Sequence, residues 1–192
     1  MFSLSKGFLL FFLLFFLTHL SWAQEQRFFV GGVAGLNFSE LEGNSITDYF
    51  GINTGLIGSV RLKKRTKLSI ELLYSQNGEY ILPAFYPSIQ YGKIRLNHLE
   101  IPIHIDWQIA KDDKKGEINW GLSFFKLLNY QIEDQEGIKV TDQVVYDQEI
   151  GLGIQGGATY FFNDHLGFNF RAIFPLDAGL DWTLAGRFVY II

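Results

Sequence analysis

Two histidines and two carboxylates share one short stretch, HLEIPIHIDWQIA, which runs from His98 to Ala110. They are His98, Glu100, His104 and Asp106, and imidazole and carboxylate groups serve as zinc ligands and as general acids or bases. Large apolar residues alternate with them, which predicts a β-strand with the four polar side chains on one face. A strand rises about 3.3 Å per residue, so His98 and His104 lie roughly 20 Å apart. We therefore expect two separate His–carboxylate pairs and not one four-ligand metal site.

Sequence patterns for catalysis or cofactor binding are weak. The chain has no cysteine, and it lacks the Gly-x-Ser-x-Gly turn of serine hydrolases. The glycine-rich segment GLGIQGG at 151–157 is not followed by a helical pattern that would bring backbone N–H groups to a phosphate. We predict that the protein is not an enzyme and holds no cofactor or metal. The alternative, a lipid- or peptide-modifying enzyme, would depend on His98, Glu100, His104 and Asp106.

The strand that carries these residues is one of eight segments with period-two alternation. Their approximate ranges are 27–38, 49–62, 67–80, a fourth that contains 98–110, 118–131, 148–161, 166–174 and 182–192. Short connections alternate with longer ones along the chain. This plan is typical of an antiparallel up-and-down barrel of the bacterial outer membrane. Pro102 has no N–H donor, so we also expect a local bulge in the fourth strand, or one ladder bond replaced by a lumen group.

Side-chain size predicts which face of the sheet points outward. One face is built from Phe, Leu, Ile, Tyr and Trp, and the other from Gly, Ser, Asn, Thr and single charges. Eight strands enclose room for modest side chains only, and a water-exposed face would be about a quarter to a third charged. The bulky face is therefore expected to contact lipid. The predicted fold class is all-β, an eight-stranded antiparallel up-and-down transmembrane β-barrel.

Charged residues on the small-residue face would lie in a narrow lumen, where buried charges need partners. Both signs occur there, so we expect the histidines and carboxylates of the fourth strand to pair across the barrel. The predicted lumen polar network consists of Arg61, Glu71, His98, Glu100, His104, Asp106, Glu149, Arg171 and Arg187. Whether either His–carboxylate pair contacts more than a structural arginine is left open by the sequence.

The N-terminal residues predict export. Lys6 precedes an apolar run from Phe8 to Leu17, and Ser21-Trp22-Ala23 matches the small-x-small pattern of a cleavage site. Because a membrane helix needs about 20 apolar residues, residues 1–23 are expected to be a cleaved signal peptide and 24–192 the barrel domain. A net charge of −4 argues against nucleic acid as a partner. We expect a monomer in outer-membrane lipid, inserted with the help of the barrel assembly machinery.

The connections differ in charge. The first short turn is basic, with Lys63, Lys64, Arg65 and Lys67, whereas the longer connections are mostly acidic and are expected to face outside. The connection LPAFYPSIQYG at 82–92 is aromatic and uncharged. Its residues Phe85, Tyr86 and Tyr91 form a candidate contact patch for a protein or glycan partner, and contact with the membrane interface is the alternative.

Four segments carry a family resemblance: GGVAGLNFS at 31–39, LSIELLYSQNG at 68–78, LNHLEIPIHI at 96–105 and GLGIQGGATYFF at 151–162. They resemble the outer-membrane protein β-barrel family, small barrels of the PorT-like and OmpA/OmpX-like kinds from Bacteroidota-type Gram-negative bacteria. The resemblance implies an outer-membrane location and an eight-stranded barrel, and it transfers no catalytic residues. We predict a structural or interaction role with a filled lumen. The alternatives are a PorT-like accessory of protein secretion and, less favoured, a narrow pore or a barrel enzyme.

Overall fold

The computed structural model describes residues 28–40, 49–81, 92–109, 115–134, 150–176 and 182–192. The predicted signal peptide at 1–23, the aromatic patch of Phe85, Tyr86 and Tyr91, and Glu149 lie outside these residues. Within them, no helix is long and apolar enough to cross a membrane.

Eight antiparallel strands form a closed barrel, which confirms the predicted fold. In chain order they are β1 (Phe28–Glu40), β2 (Tyr49–Lys63), β3 (Thr66–Ile81), β4 (Gly92–Gln108), β5 (Gly116–Asp134), β6 (Ile150–Phe161), β7 (Leu166–Pro175) and β8 (Trp182–Ile191). Each strand pairs with its neighbours in sequence, and β1 pairs with β8 from Gly31↔Ile191 to Glu40↔Trp182. Closure leaves no sheet edge along the paired part of the barrel, so backbone polar groups are satisfied without water.

The exterior of the barrel is apolar and the interior is polar. Bulky residues at alternate positions are exposed on every strand, including Leu56, Ile103 and Phe170. The residues between them are buried and are mostly Asn, Ser, Thr, Gln or charged. Trp107, Trp120, Tyr160 and Tyr190 are exposed near the short connections, at one end of the apolar surface. This inversion of the usual soluble pattern places the large apolar side chains against lipid.

β3, β4 and β5 exceed the length of a membrane crossing by the most. β3, β4 and β5 contain 16, 17 and 19 residues, whereas β6, β7 and β8 contain 12, 10 and 10. A tilted strand crosses the hydrocarbon core with about 9–11 residues. The surplus lies at the end with the long connections, because the ladder between β5 and β6 begins only at Lys126↔Ile150. We call the segments 76–81, 92–97 and 127–134 of these strands the wall.

Two bulges and one interruption modify the regular ladders. Leu62 is the extra residue where the β2–β3 register shifts, and Leu128 is the extra residue where the β4–β5 register shifts. The β3–β4 ladder is interrupted opposite Pro102: the pair Ile70↔Ile103 is followed directly by Leu73↔Glu100. The register is the same on both sides of this gap. The bulge expected at Pro102 is therefore not found, and the ladder is interrupted there instead.

Candidate functional site

A cluster of buried charged side chains fills the middle of the barrel. Five of the predicted lumen residues form it, and we call them the lumen network: Glu71, His104, Asp106, Arg171 and Arg187. They come from β3, β4, β7 and β8, strands that face one another across the lumen. Arg171 and Arg187 are each only 1% exposed, so their charges need partners within the barrel.

Glu71 is the centre of the lumen network. Its Oε1 accepts hydrogen bonds from Nη2 of Arg171 at 2.6 Å and from Nη2 of Arg187 at 3.2 Å. Its Oε2 accepts a hydrogen bond from Nη1 of Arg187 at 2.7 Å. The contact with Arg187 is therefore bidentate, the arrangement in which guanidinium and carboxylate groups bind most strongly. One carboxylate on β3 thus joins two neighbouring strands on the other side of the barrel.

His104 joins Glu71 to Asp106. Its Nε2 lies 3.0 Å from Oε1 of Glu71 and its Nδ1 lies 2.9 Å from Oδ1 of Asp106. An imidazole can donate from both nitrogens only as the imidazolium, and each nitrogen here faces a carboxylate oxygen. Ser69 donates to the other oxygen of Asp106 and lies 2.7 Å from the hydroxyl of Ser59. The His104–Asp106 pair is therefore enclosed by hydrogen-bond partners.

Asn169 fixes the orientation of the second arginine. Its Oδ1 accepts from Nε and Nη2 of Arg187 at 3.1 and 2.7 Å, and its Nδ2 donates to Oγ1 of Thr159 at 2.9 Å. Asn169 is not among the residues predicted for the network. Its place on the inner face of β7, two residues before Arg171, is the sequence feature that could have predicted the contact.

Glycines make room for the long side chains of the lumen network. His104 is paired with Gly121, Arg171 with Gly157 and Arg187 with Gly35. A Cβ on Gly121 would lie 2.0 Å from the carbonyl oxygen of Ile103 and 2.6 Å from Cα of His104. Small residues beside large ones are how narrow barrels fill their interior. Gly157 of the glycine-rich strand β6 is therefore explained by packing against Arg171.

The second His–carboxylate pair of β4 has a different environment. Oε1 of Glu100 accepts a hydrogen bond from Ser123 at 3.2 Å, but its Oε2 has no partner among the described residues. Nδ1 of His98 also has none, and its ring makes an edge contact with Phe125 at 6.3 Å between centroids. The structure thus separates the two pairs: His104 and Asp106 belong to the lumen network, and His98 and Glu100 do not.

Arg61 also lies outside the lumen network. It is exposed at the end of β2, with its guanidinium 5.0 Å above the ring of Phe29. At this end of the lumen, Lys67 forms an ion pair with Glu117 at 2.8 Å. The sequence alone groups Lys67 with the basic residues of the first short connection, and only the β3–β4–β5 register brings it beside Glu117.

Little free space remains around the lumen network. A cavity of about 20 Å³ adjoins it, lined at the short-connection end by Ile57, Phe161, Val189 and Ile191. That volume is enough for about one water molecule. In the described ranges, no three His, Asp or Glu side chains are arranged to hold a metal ion. The site can therefore cross-link strands, but its charged groups face one another and not a substrate-sized space.

An apolar exterior, a closed antiparallel sheet and a lumen filled by paired charges define a small transmembrane β-barrel. A family model, the outer membrane protein beta-barrel domain, matches residues 14–178, and the chain belongs to this family. The protein is therefore a small outer-membrane β-barrel protein located in the outer membrane and surrounded by membrane lipid, as predicted.

Solved structures show the same fold. Ail, the attachment invasion locus protein of Yersinia pestis, superposes with a TM-score of 0.52 at 9% identity, covering 86% of this chain and 99% of Ail. Neisserial surface protein A gives a TM-score of 0.48 at 13% identity, covering 85% of this chain and 94% of that protein. At these identities the likeness concerns the fold alone. No curated protein matches the sequence.

Proposed function

We propose that this protein is a non-conducting barrel that acts through contacts at its long-connection end, and neither through transport nor through catalysis. The observation that carries the proposal is the position of Glu71 on β3. It binds Arg171 of β7 and Arg187 of β8, two neighbouring strands on the other side of the lumen. An ion or substrate moving along the barrel would have to separate these groups. Separating a buried ion pair leaves uncompensated charges, which costs several kcal/mol (about 3–5 in mutational studies).

Within the described residues, neither His–carboxylate pair of β4 offers a catalytic group that is open to a substrate, which supports the same conclusion. A general base needs an open path to the proton that it removes. His104 and Asp106 instead contact each other, Glu71 and Ser69. His98 and Glu100 retain open hydrogen-bonding positions, but both are buried on the inner face of β4.

The wall favours an interaction role. Its three strands extend past the point where β5 and β6 begin to pair, and polar side chains of Gln76, Asn97 and Asn129 join them on the outer face. Oδ1 of Asn97 accepts from the hydroxyl of Tyr74 at 2.8 Å and from Nε2 of Gln76 at 3.0 Å. Asn97 also donates to Asn129 on β5. A polar outer face joined by hydrogen bonds suits water and a partner better than lipid.

The predicted aromatic patch of Phe85, Tyr86 and Tyr91 lies in the connection between β3 and β4. These two strands form one side of the wall. Long connections of outer-membrane barrels face the outside of the cell. The proposed partner is therefore a protein or glycan at the cell surface.

Conductance measurements test the closed lumen. The purified, folded barrel in a planar bilayer is expected to give no stable current steps. Heat-modifiable migration on gels would show that the barrel is folded in the same preparation. Reproducible single-channel steps from folded protein would refute the non-conducting barrel and support the narrow-pore alternative.

Site-specific photo-crosslinking in intact cells tests the interaction role. A photoreactive residue at Asn129 or Tyr86 is expected to form adducts with a protein or glycan, whereas the same residue at the lipid-facing Ile103 forms none. Adducts with a component of a protein-export machine would support the PorT-like accessory role. Equal labelling at all three positions, or none at Asn129 and Tyr86, would contradict a contact role for this end.

A further inference from the structure

The end of the barrel opposite the wall carries a group of basic residues that have no ion-pair partner among the described residues. The turn between β2 and β3 consists of Lys64 and Arg65, and Arg61 and Lys63 precede it at the end of β2. Arg61, Lys63 and Lys64 are exposed. No ion pair joins them to a carboxylate of the described residues, since Glu117 at this end is bound by Lys67. We call these four residues the basic turn.

Strand register places the basic turn at the boundary of the membrane. Thr66, the residue after the turn, is paired with Trp107, whose side chain is 45% exposed on the barrel exterior. Tryptophan side chains of membrane proteins concentrate at the interface between hydrocarbon and headgroups. Because Lys63 is paired with Thr66 and the turn residues Lys64 and Arg65 lie beyond that pair from the barrel centre, their charges fall at headgroup depth.

The bulge at Leu62 connects this charge to the apolar surface. Leu62 is 54% exposed between Arg61 and Lys63, and it is the extra residue of the β2–β3 bulge. An apolar side chain between two cationic ones can contact acyl chains while the charges remain at the surface. The arrangement matches an amphiphile with a negative headgroup.

We propose that the basic turn binds the headgroups of anionic phospholipids in the leaflet next to the short connections, which is the periplasmic leaflet of an outer-membrane barrel. Ammonium and guanidinium groups form charge-assisted hydrogen bonds with phosphate. Zwitterionic phospholipids also carry a phosphate, but their own ammonium group competes for it. A lipid with net negative charge, such as phosphatidylglycerol, is therefore preferred.

Native mass spectrometry of the folded, full-length protein in detergent tests this preference, with phosphatidylglycerol or phosphatidylethanolamine added as the probe. The wild type is expected to retain phosphatidylglycerol more tightly than phosphatidylethanolamine. The double variant K63Q/K64Q should weaken phosphatidylglycerol binding at least about fivefold, the effect of removing one basic residue from an anionic surface. Heat-modifiable migration on gels would show that the variant is folded.

Lys126→Gln is the matched control, because Lys126 is an exposed lysine at the opposite boundary of the apolar surface. It should leave the lipid preference unchanged. Equal retention of the two lipids by the wild type, or equal losses in K126Q and K63Q/K64Q, would overturn the proposal. If K63Q/K64Q instead lost binding to purified peptidoglycan sacculi and kept its lipid preference, the basic turn would be assigned to peptidoglycan.

Discussion

β4 carries the same pair of residue types twice, and the two pairs have opposite environments. His104 and Asp106 are bound to each other and to partners on β3, and through Glu71 they connect to β7 and β8. His98 and Glu100 lie on the same face of the same strand, yet Nδ1 of the histidine and Oε2 of the glutamate have no partner in the described part of the chain. Residue type and spacing are therefore insufficient to define the role of either pair.

The difference comes from what each pair faces across the barrel. Toward the short connections, β3, β7 and β8 contribute Glu71 and the two arginines, so His104 and Asp106 complete a set of opposite charges. Toward the long connections, His98 contacts the ring of Phe125 and Glu100 accepts a hydrogen bond from Ser123. The charges of Arg171 and Arg187 also act on Glu100, but among the described residues their ion pairs are to Glu71. We therefore expect the first pair to contribute to the stability of the barrel, and the second pair to be held mainly by burial. Four experiments test this contrast, from the largest expected effect to the smallest.

Replacing Glu71 with glutamine should produce the largest loss. Two buried guanidinium groups would then lose their carboxylate, and removing one partner of a buried ion pair costs about 3–5 kcal/mol. Urea titration of the folded barrel in lipid vesicles, followed by tryptophan fluorescence, measures the free energy of unfolding. A loss below about 1 kcal/mol, the usual value of an exposed ion pair, would show that the lumen network does not stabilise the fold.

The two histidines provide a matched comparison. His104→Leu removes the bridge between Glu71 and Asp106, and the loss of hydrogen bonds to charged groups should cost about 2–3 kcal/mol. His98→Leu removes a ring that packs on Phe125, so its cost should stay below about 1 kcal/mol. Both variants are measured in the same unfolding titration. Equal losses would mean that the contacts of His104 contribute no more than burial alone.

Some of this arrangement follows from the sequence and some does not. Period-two alternation predicts all eight strands and places Glu71, His104, Asp106, Arg171 and Arg187 on the inner face. It does not predict which carboxylate binds which arginine, because Glu71 is 100 residues from Arg171 and 116 from Arg187. Only closure of the barrel brings them together.

Local irregularities of the strands also could not be predicted from the sequence. Simple alternation places Asn129 on the inner face of β5, with Asn119, Gly121 and Ser123. The bulge at Leu128 shifts the register by one residue, and a one-residue shift reverses the two faces of a strand. Asn129 therefore pairs with Asn97 and hydrogen-bonds to it. No turn residue or proline in this segment signals the bulge.

Glycine substitutions test whether the lumen network depends on close strand approach. Gly121→Ala would place a Cβ against the backbone of Ile103 and His104, and overpacking of this kind costs about 1–3 kcal/mol. Gly58→Ala is the control, because a Cβ there meets no atom within 4 Å. Its stability should be unchanged or slightly higher, since alanine restricts the unfolded chain. If both variants behaved alike in thermal unfolding on gels, packing against His104 would not explain the glycine.

Glu100→Gln should have the smallest effect, although Glu100 is as deeply buried as Glu71. Glutamine keeps an oxygen that can accept the hydrogen bond that Ser123 donates to Oε1 of Glu100. Its amide nitrogen replaces Oε2, which has no hydrogen-bond partner in the described residues. The expected change in unfolding free energy is below about 1 kcal/mol in either direction. Asp106→Asn is the comparison, because it removes a charge that contacts His104 and Ser69. A loss for Glu100→Gln as large as that for Asp106→Asn would show that the two halves of the lumen are electrostatically equivalent, and the contrast between the two pairs of β4 would then be wrong.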